Sequence, residues 1–233
     1  SPVYRRILSL IEDGPCDLPP IVQFEDVPSL ESSNLDDFDV LSDNRIFDLR
    51  NWSSLDDDEV SAPYFYSRLQ VRRKEDSTNT VLRLQSLSED DQMRIVCRTK
   101  SLNPRYLRAK QSDDEYHWEI NLDMSHLAIG DDSDIVFEGK MISEYAYQSD
   151  NDGRFQFAIQ AKTGLVQIWM LMPQDRDYNN FEITGFPIGN PEMRQTIIPT
   201  SKVELPVGSI ANFQIINPRS DFRYECKWDW TGY

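Results

Sequence analysis

The chain has 233 residues, of which 39% are hydrophobic and 11% aromatic. This content is enough for a packed core and too apolar for an intrinsically disordered protein. The formal net charge of −16 at pH 7 argues against a general nucleic-acid binder, because an acidic surface repels phosphate. The longest apolar run, residues 168–172, is far too short to span a membrane.

Residues 1–62 are predicted to form an acidic extended N-terminal arm. Residues 3–11 fit either a short helix or an extended anchoring segment. Between residues 14 and 58, prolines, acids and serines surround scattered apolar side chains that are too few to build a core. We expect this stretch to lie along another surface, of its own domain or of a neighbour. The chain begins with Ser1 and no signal-peptide pattern follows, which indicates a trimmed chain or a product of proteolytic processing.

Residues 63–233 are predicted to form one all-β domain, an antiparallel β-sandwich. Apolar and polar residues alternate in many short segments, and Gly, Pro, Asn and Asp separate them, which is the pattern of half-buried strands. The predicted strands are residues 64–71, 81–87, 93–98, 118–124, 135–147, 154–161, 165–172, 203–216 and 222–230.

The segments 154–161 and 165–172 are predicted to form a β-hairpin. The first alternates, so it shows one face to water. The second does not alternate, and we expect both its faces to be covered, by an arm, a helix or a neighbouring subunit. The predicted core or interface residues of this strand are Ile168, Trp169, Met170 and Leu171.

Basic residues concentrate in the middle of the chain. Residues 63–110 contain eleven basic and five acidic side chains, whereas residues 1–62 contain four basic and fifteen acidic ones. One interpretation is that the basic middle pairs with the acidic arm, within or between chains. The alternative is a weak nucleic-acid contact through Arg72, Arg73 and Lys74, or through residues 104–110.

The sequence contains no pattern typical of an enzyme, a cofactor site or a metal site. Cys16, Cys97 and Cys226 are odd in number and widely spaced, which predicts reduced thiols rather than disulfides or metal ligands. The acidic clusters at 56–59, 130–134 and 150–153 fit turns. His126 follows Ser125, but no carboxylate and nucleophile are placed to form a recognisable catalytic relay with either histidine. We therefore predict a non-enzymatic protein without a cofactor. The sequence leaves open a glycosidase-like site, in which two carboxylates that are distant in the sequence converge in space.

Residues 137–173 resemble the paired middle strands of jelly-roll capsid proteins of picornavirus-like viruses, of the dicistrovirus and iflavirus type. The shared pattern is an aromatic strand after Gly153, then a wholly apolar run that ends at Pro173. The resemblance implies a jelly-roll subunit of an icosahedral shell, released from a polyprotein. It would assemble in the host cytoplasm with other capsid subunits, reside in the virion, and contact genomic RNA weakly.

A triplet in the arm, Asp36, Asp37 and Phe38, matches one implicated in maturation cleavage of such capsids. By that resemblance Asp36 or Asp37 would act as the acid or base in cleavage; the preferred interpretation is an ordinary acidic arm. Two further hypotheses remain open. One is a β-sandwich interaction module of a larger cellular protein, and the other is a carbohydrate-binding or carbohydrate-active sandwich that uses Trp169, Trp228 or Trp230.

Overall fold

A computed structural model describes residues 2–13, 22–50, 63–88, 95–112, 116–140, 146–148, 152–159, 161–173, 176–197, 201–205 and 208–231. These ranges contain one α-helix, α1 (Pro2–Asp13). Their strands are β1 (Glu25–Asp26), β2 (Phe38–Asp48), β3 (Tyr64–Arg73), β4 (Val81–Ser88), β5 (Ile95–Cys97), β6 (Arg105–Lys110), β7 (Tyr116–Asp123), β8 (Asp132–Lys140), β9 (Ala146–Gln148), β10 (Asp152–Ala158), β11 (Thr163–Leu171), β12 (Asp177–Pro187), β13 (Gln195–Ile197), β14 (Ser201–Leu205), β15 (Gly208–Ile216) and β16 (Phe222–Thr231). Within the same ranges, no helix has the length and apolar character needed to cross a membrane.

The strands form three sheets. A seven-stranded sheet has the order β14-β15-β11-β2-β3-β8-β5, a five-stranded sheet the order β13-β12-β16-β10-β9, and a four-stranded sheet the order β1-β6-β7-β4. One half of the large sheet packs against the five-stranded sheet, for example Ile168 and Phe213 with Cys226. The other half packs against the four-stranded sheet, for example Val71 with Leu122. The large sheet therefore contributes to two hydrophobic cores.

The prediction of an all-β protein is confirmed. The sheets are mixed rather than wholly antiparallel, because β2 pairs with β11 and β1 pairs with β6 in parallel. A jelly roll consists of two sheets with eight strands in all. That arrangement is not confirmed in the three sheets of the described residues.

The predicted hairpin of residues 154–161 and 165–172 is wrong. β10 pairs with β16 and β9 in the five-stranded sheet, whereas β11 pairs with β15 and β2 in the seven-stranded sheet. Ile159 and Ala161, which lie between these two strands in the sequence, are both buried. The physical reason is that β11 is apolar on both faces. Such a strand is stabilised in the centre of a sheet that is covered on both sides, and not by pairing with a strand that has one face in solvent.

Part of the predicted arm is integral to the fold. β2 lies between β3 and β11 and pairs with both of them along its length. Residues 38–48 are therefore a central strand and not a segment that lies on a finished surface. The boundary between residues 62 and 63 stays a prediction, because residues 51–62 lie outside the described ranges.

Residues 2–13 form the helix that the sequence offered as one of two alternatives. Val3, Ile7 and Leu10 follow the three-to-four-residue spacing of one helix face and are all buried. They pack on the outer face of the seven-stranded sheet, against Ile46, Tyr64, Tyr66, Trp169, Leu171 and Ile210. The Arg50 guanidinium donates a hydrogen bond to the carbonyl oxygen of Leu10, at 2.7 Å, near the end of the helix.

Candidate functional site

The two faces of β11 belong to different cores. Ile168 and Met170 are fully buried between the seven-stranded and five-stranded sheets. Trp169 and Leu171 point to the opposite face and lie under α1. Both faces of this strand are therefore covered, and the cover on the outer face is the N-terminal helix.

The helix α1 is apolar beyond the face that it buries. Tyr4 and Leu8 lie one turn apart on the same side, and 54% of each residue is exposed. The Tyr4 ring meets the Trp169 ring edge-on, with centroids 5.3 Å apart and planes at 68°. We call Tyr4 and Leu8 the α1 stripe. An apolar stripe of this kind on a helix that already covers a core is typical of a surface that contacts another molecule or domain.

The opposite side of α1 is held by polar contacts. Arg6 Nη2 donates to the Tyr64 hydroxyl at 2.6 Å and lies 2.9 Å from Glu138 Oε1. Arg98 Nε reaches the other oxygen of Glu138 at 2.7 Å. Burial raises the pKa of the neighbouring Tyr66 phenol, so this tyrosine stays neutral. These contacts fix the rotation of the helix and hence the direction in which the α1 stripe points.

The predicted nucleic-acid contact residues are bound to other parts of the chain. Arg72 Nε lies 2.7 Å from Asp132 Oδ1. Arg73 donates to the carbonyl oxygen of Leu127 at 3.2 Å, and Lys74 donates to that of Asp36 at 2.6 Å. A phosphate would have to compete with these partners. A nucleic-acid contact at these three residues stays a prediction.

The triplet Asp36, Asp37 and Phe38 lies where a 3-10 turn (Leu35–Asp37) meets β2. Phe38 is 1% exposed and belongs to the core beneath the four-stranded sheet. Asp37 accepts a hydrogen bond from the Asn79 side chain. The structure brings the triplet together in a structural junction, and its role in cleavage stays untested.

The segment of residues 22–37, which we call the acidic strap, runs from β6 at one side of the four-stranded sheet to β4 at the opposite edge. Its carboxylates pair with basic side chains of that sheet, in agreement with an acidic arm that pairs with the basic middle of the same chain. The pairs are Glu25–Arg105 at 2.6 Å, Asp26–Arg108 at 2.6 Å and Glu31–Arg83 at 2.5 Å. The hydrogen bond from Arg108 lowers the pKa of the Asp26 carboxyl, so this acid is ionised at neutral pH.

Cys97 and Cys226 are free thiols in the core, whereas Cys16 lies outside the described residues. Burial raises the pKa of the Cys97 thiol to about 11, and a backbone hydrogen bond with Thr99 opposes this shift only in part. Burial also raises the pKa of Cys226, with Glu225 adding to the effect. Because the thiolate is the reactive form, neither thiol is activated for nucleophilic chemistry.

We expect iodoacetamide at pH 8 to modify Cys97 and Cys226 only after unfolding, because both are buried and protonated at that pH. Site-resolved mass spectrometry with and without 6 M guanidinium measures this. Complete modification in the denatured sample is the control. Rapid modification of either residue in the native protein would show that its thiol is accessible to the reagent and not buried.

The three tryptophans considered for carbohydrate binding are buried core residues. Trp228 is 1% exposed, and Trp169 and Trp230 are 9% exposed each. A sugar-binding platform needs an open aromatic face, which these rings do not offer. Among the described residues, no group of three or more His, Cys, Asp or Glu side chains could hold a metal ion.

Sequence reasoning placed the covered strand but missed the α1 stripe and the partners of the acidic strap. The signal for the stripe was present, because Tyr4 and Leu8 repeat at a spacing of four beside the buried set of the same helix. The strap pairs join residues that lie between 52 positions (Glu31 and Arg83) and 82 positions (Asp26 and Arg108) apart in the chain. Local patterning holds no information on contacts of that range.

No family model matches the chain, and no curated protein matches it. Matching solved structures include a variant of a two-domain M1 zinc metallopeptidase bound to L-arginine, with 8% identity, a TM-score of 0.44, and coverage of 84% of this chain and 44% of the other. Leukotriene A4 hydrolase from Saccharomyces cerevisiae matches with 13% identity, a TM-score of 0.44, and coverage of 94% and 33%. Legionella pneumophila aminopeptidase A matches with 13% identity, a TM-score of 0.39, and coverage of 84% and 22%.

The predicted capsid function and virion location are wrong. The paired strands that carried the capsid resemblance lie in different sheets, and the solved structures named above are peptidases and a hydrolase, not viral shell proteins. The chain spans less than half the length of each of these three structures. At this level of similarity, their activities and ligands do not transfer to the chain.

Proposed function

We propose that the chain is a non-enzymatic β-sandwich module of a larger protein and that it binds a protein partner through α1. The observation that supports this is the α1 stripe, in which Tyr4 and Leu8 are each 54% exposed on a helix that buries Val3, Ile7 and Leu10. A helix of this kind inserts an apolar edge into a groove of its partner, with anchors one turn apart.

The buried acidic residues pair with basic side chains, which supports a structural rather than a catalytic role for these carboxylates. Asp43 Oδ2 accepts from Arg45 at 2.6 Å, and Asp48 Oδ2 accepts from Arg50 at 2.6 Å. Glu225, which is 1% exposed, accepts from Arg194 at 2.6 Å. Burial opposes ionisation of Glu225, but hydrogen bonds from Arg194 and Gln156 outweigh it and lower its pKa. A carboxylate with a lowered pKa is a poor general acid at neutral pH.

The stripe is also well oriented for binding. Arg6 holds one side of α1 through Tyr64 and Glu138, and Trp169 supports the Tyr4 ring from below. An anchor that is already fixed loses little side-chain entropy when a partner binds, which favours affinity. The partner groove would meet two apolar side chains that form part of a rigid surface.

The test is photo-crosslinking in cells that produce the protein. A photoreactive phenylalanine analogue at position 8 should crosslink to a discrete partner protein, and Tyr4→Ser should abolish the crosslink, because the two anchors act together. The matched control is the same analogue at Ile129, a residue outside α1 that is 53% exposed. Equal products from both positions, or none from position 8, would refute the proposed function. Circular dichroism of each variant confirms that the fold is kept.

A further inference from the structure

The acidic strap occupies the outer edge of β6 in the way that a peptide ligand occupies a sheet edge. β1 pairs with β6 in parallel, with Glu25 opposite Leu107 and Asp26 opposite Arg108. The backbone N–H of Val27 donates to the carbonyl oxygen of Arg108 at 2.9 Å. Main-chain pairing combined with side-chain contacts is the mode by which extended peptides add to an edge strand.

One basic side chain of β6, that of Arg108, also contacts a residue of the sheet outside the strap. The Arg108 guanidinium lies over the Tyr116 ring of the neighbouring strand, 5.1 Å from its centroid. The same guanidinium also lies over the Phe24 ring of the strap, 5.4 Å from its centroid. Because Tyr116 belongs to the sheet itself, it orients Arg108 toward an incoming carboxylate whether or not the strap is in place.

The strap is held weakly where it contacts β6 and firmly where it joins β2. The carboxyl side chains of Glu25 and Asp26 are 58% and 73% exposed, so solvent and salt screen their ion pairs. Asn34, by contrast, donates to the Val81 carbonyl at 2.6 Å and accepts from the Arg83 N–H at 2.8 Å. Leu35 and Phe38 are buried in the core. Phe24 is half-buried against the same core, so departure of residues 24–27 from β6 removes this one side chain from the core while Leu35 and Phe38 stay in place.

We propose that the outer edge of β6 is a binding site for an extended acidic segment of a partner protein, and that residues 24–27 occupy this site within the chain. The Arg108 carbonyl needs an N–H donor, which a peptide has and a phosphodiester lacks, so the geometry favours an acidic peptide over a nucleic acid. The site is separate from the α1 stripe on which the proposed function rests, and either can fail without the other.

The experiment uses the full chain and a fluorescent peptide of residues 22–33, VQFEDVPSLESS, followed by anisotropy. In the chain, Glu25→Gln, Asp26→Asn and Glu31→Gln together should weaken the internal competitor. The variant should then bind the peptide roughly tenfold or more tightly than the unaltered chain does, because a tethered competitor acts at a high effective concentration. Adding Arg105→Gln and Arg108→Gln should abolish this binding, as should 1 M NaCl.

The matched control variant is Glu75→Gln, Asp76→Asn and Glu192→Gln, which makes the same charge change at exposed positions outside the peptide segment 22–33. It should bind the peptide as weakly as the unaltered chain. Equal binding by both triple variants would overturn the proposal, and so would the absence of any gain. Single-stranded DNA of 12 nucleotides that binds as tightly as the peptide would also overturn it, by showing a general polyanion surface. If the first triple variant is unfolded by circular dichroism, Phe24→Ser replaces it, with the same expected gain.

Discussion

Alanine in place of Trp228 should reduce the free energy of unfolding by about 3–5 kcal/mol, as for other large buried aromatic side chains. The indole is 1% exposed and stacks on Phe181 with centroids 5.7 Å apart. It also meets Trp230 edge-on at 5.7 Å. Removal of the indole would leave a cavity among rings that cannot all move inward. Urea denaturation followed by fluorescence measures the loss.

The control for this prediction is Ile216→Ala, at a residue that is 74% exposed; it should change the free energy of unfolding by no more than about 0.5 kcal/mol. A second variant tests the same contact from the other side. A Cβ atom on Gly153 would overlap the indole of Trp228, so Gly153→Ala should cost about 1–3 kcal/mol through overpacking. In a Trp228→Leu background this cost should be smaller, because the two effects are coupled. Equal costs in both backgrounds would show that the two residues do not touch.

Alanine in place of Arg50 should destabilise the protein by about 3–5 kcal/mol, because it leaves a buried carboxylate without its partner. The Asp48 side chain is 2% exposed and accepts from Arg50 Nε at 2.8 Å and Nη2 at 2.6 Å. Arg50 also donates to the carbonyl oxygen of Leu10. Its loss should therefore increase hydrogen exchange in α1 before the sheets unfold. Thermal unfolding and exchange mass spectrometry report the two effects.

Two comparisons separate the buried charge from other consequences of Arg50→Ala. Adding Asp48→Asn should recover part of the lost stability, since the neutral amide is cheaper to bury than an unpaired carboxylate. Arg219→Ala breaks an exposed pair with Asp221, in which the side chains are 58% and 60% exposed. It should leave stability nearly unchanged. A similar loss in both arginine variants would show that burial of the Asp48 pair is unimportant.

The sequence predicted best those strands that have one wet face. β7 and β16 alternate strictly between apolar and polar residues, and both were placed to within two residues. β2 was missed because several of its polar residues, among them Asp43 and Asn44, are unfavourable in strands when considered locally. Asp43 is buried there only because Arg45 and Ser67 donate hydrogen bonds to it. Ser67 belongs to β3, so that stabilisation is tertiary.

The capsid resemblance failed for a related reason. An aromatic strand followed by an apolar strand is consistent with a hairpin, but it fits equally two strands in different layers. Here β10 and β11 belong to different sheets. The candidate surfaces were predictable only in part, because helical spacing identifies Tyr4 and Leu8, whereas the strap pairs depend on how distant segments meet.

The parallel pairing of β2 with β11 constrains the order in which the chain can fold during synthesis. Val40 of β2 lies opposite Thr163 of β11, and about half of the chain separates them. While a ribosome makes this chain, β2 and β3 can pair early, but one edge of β2 stays open until β11 emerges. Pairing over such a sequence distance is slow, and an open edge invites association with other nascent chains. Protection by chaperones should therefore matter most between synthesis of β3 and synthesis of β11.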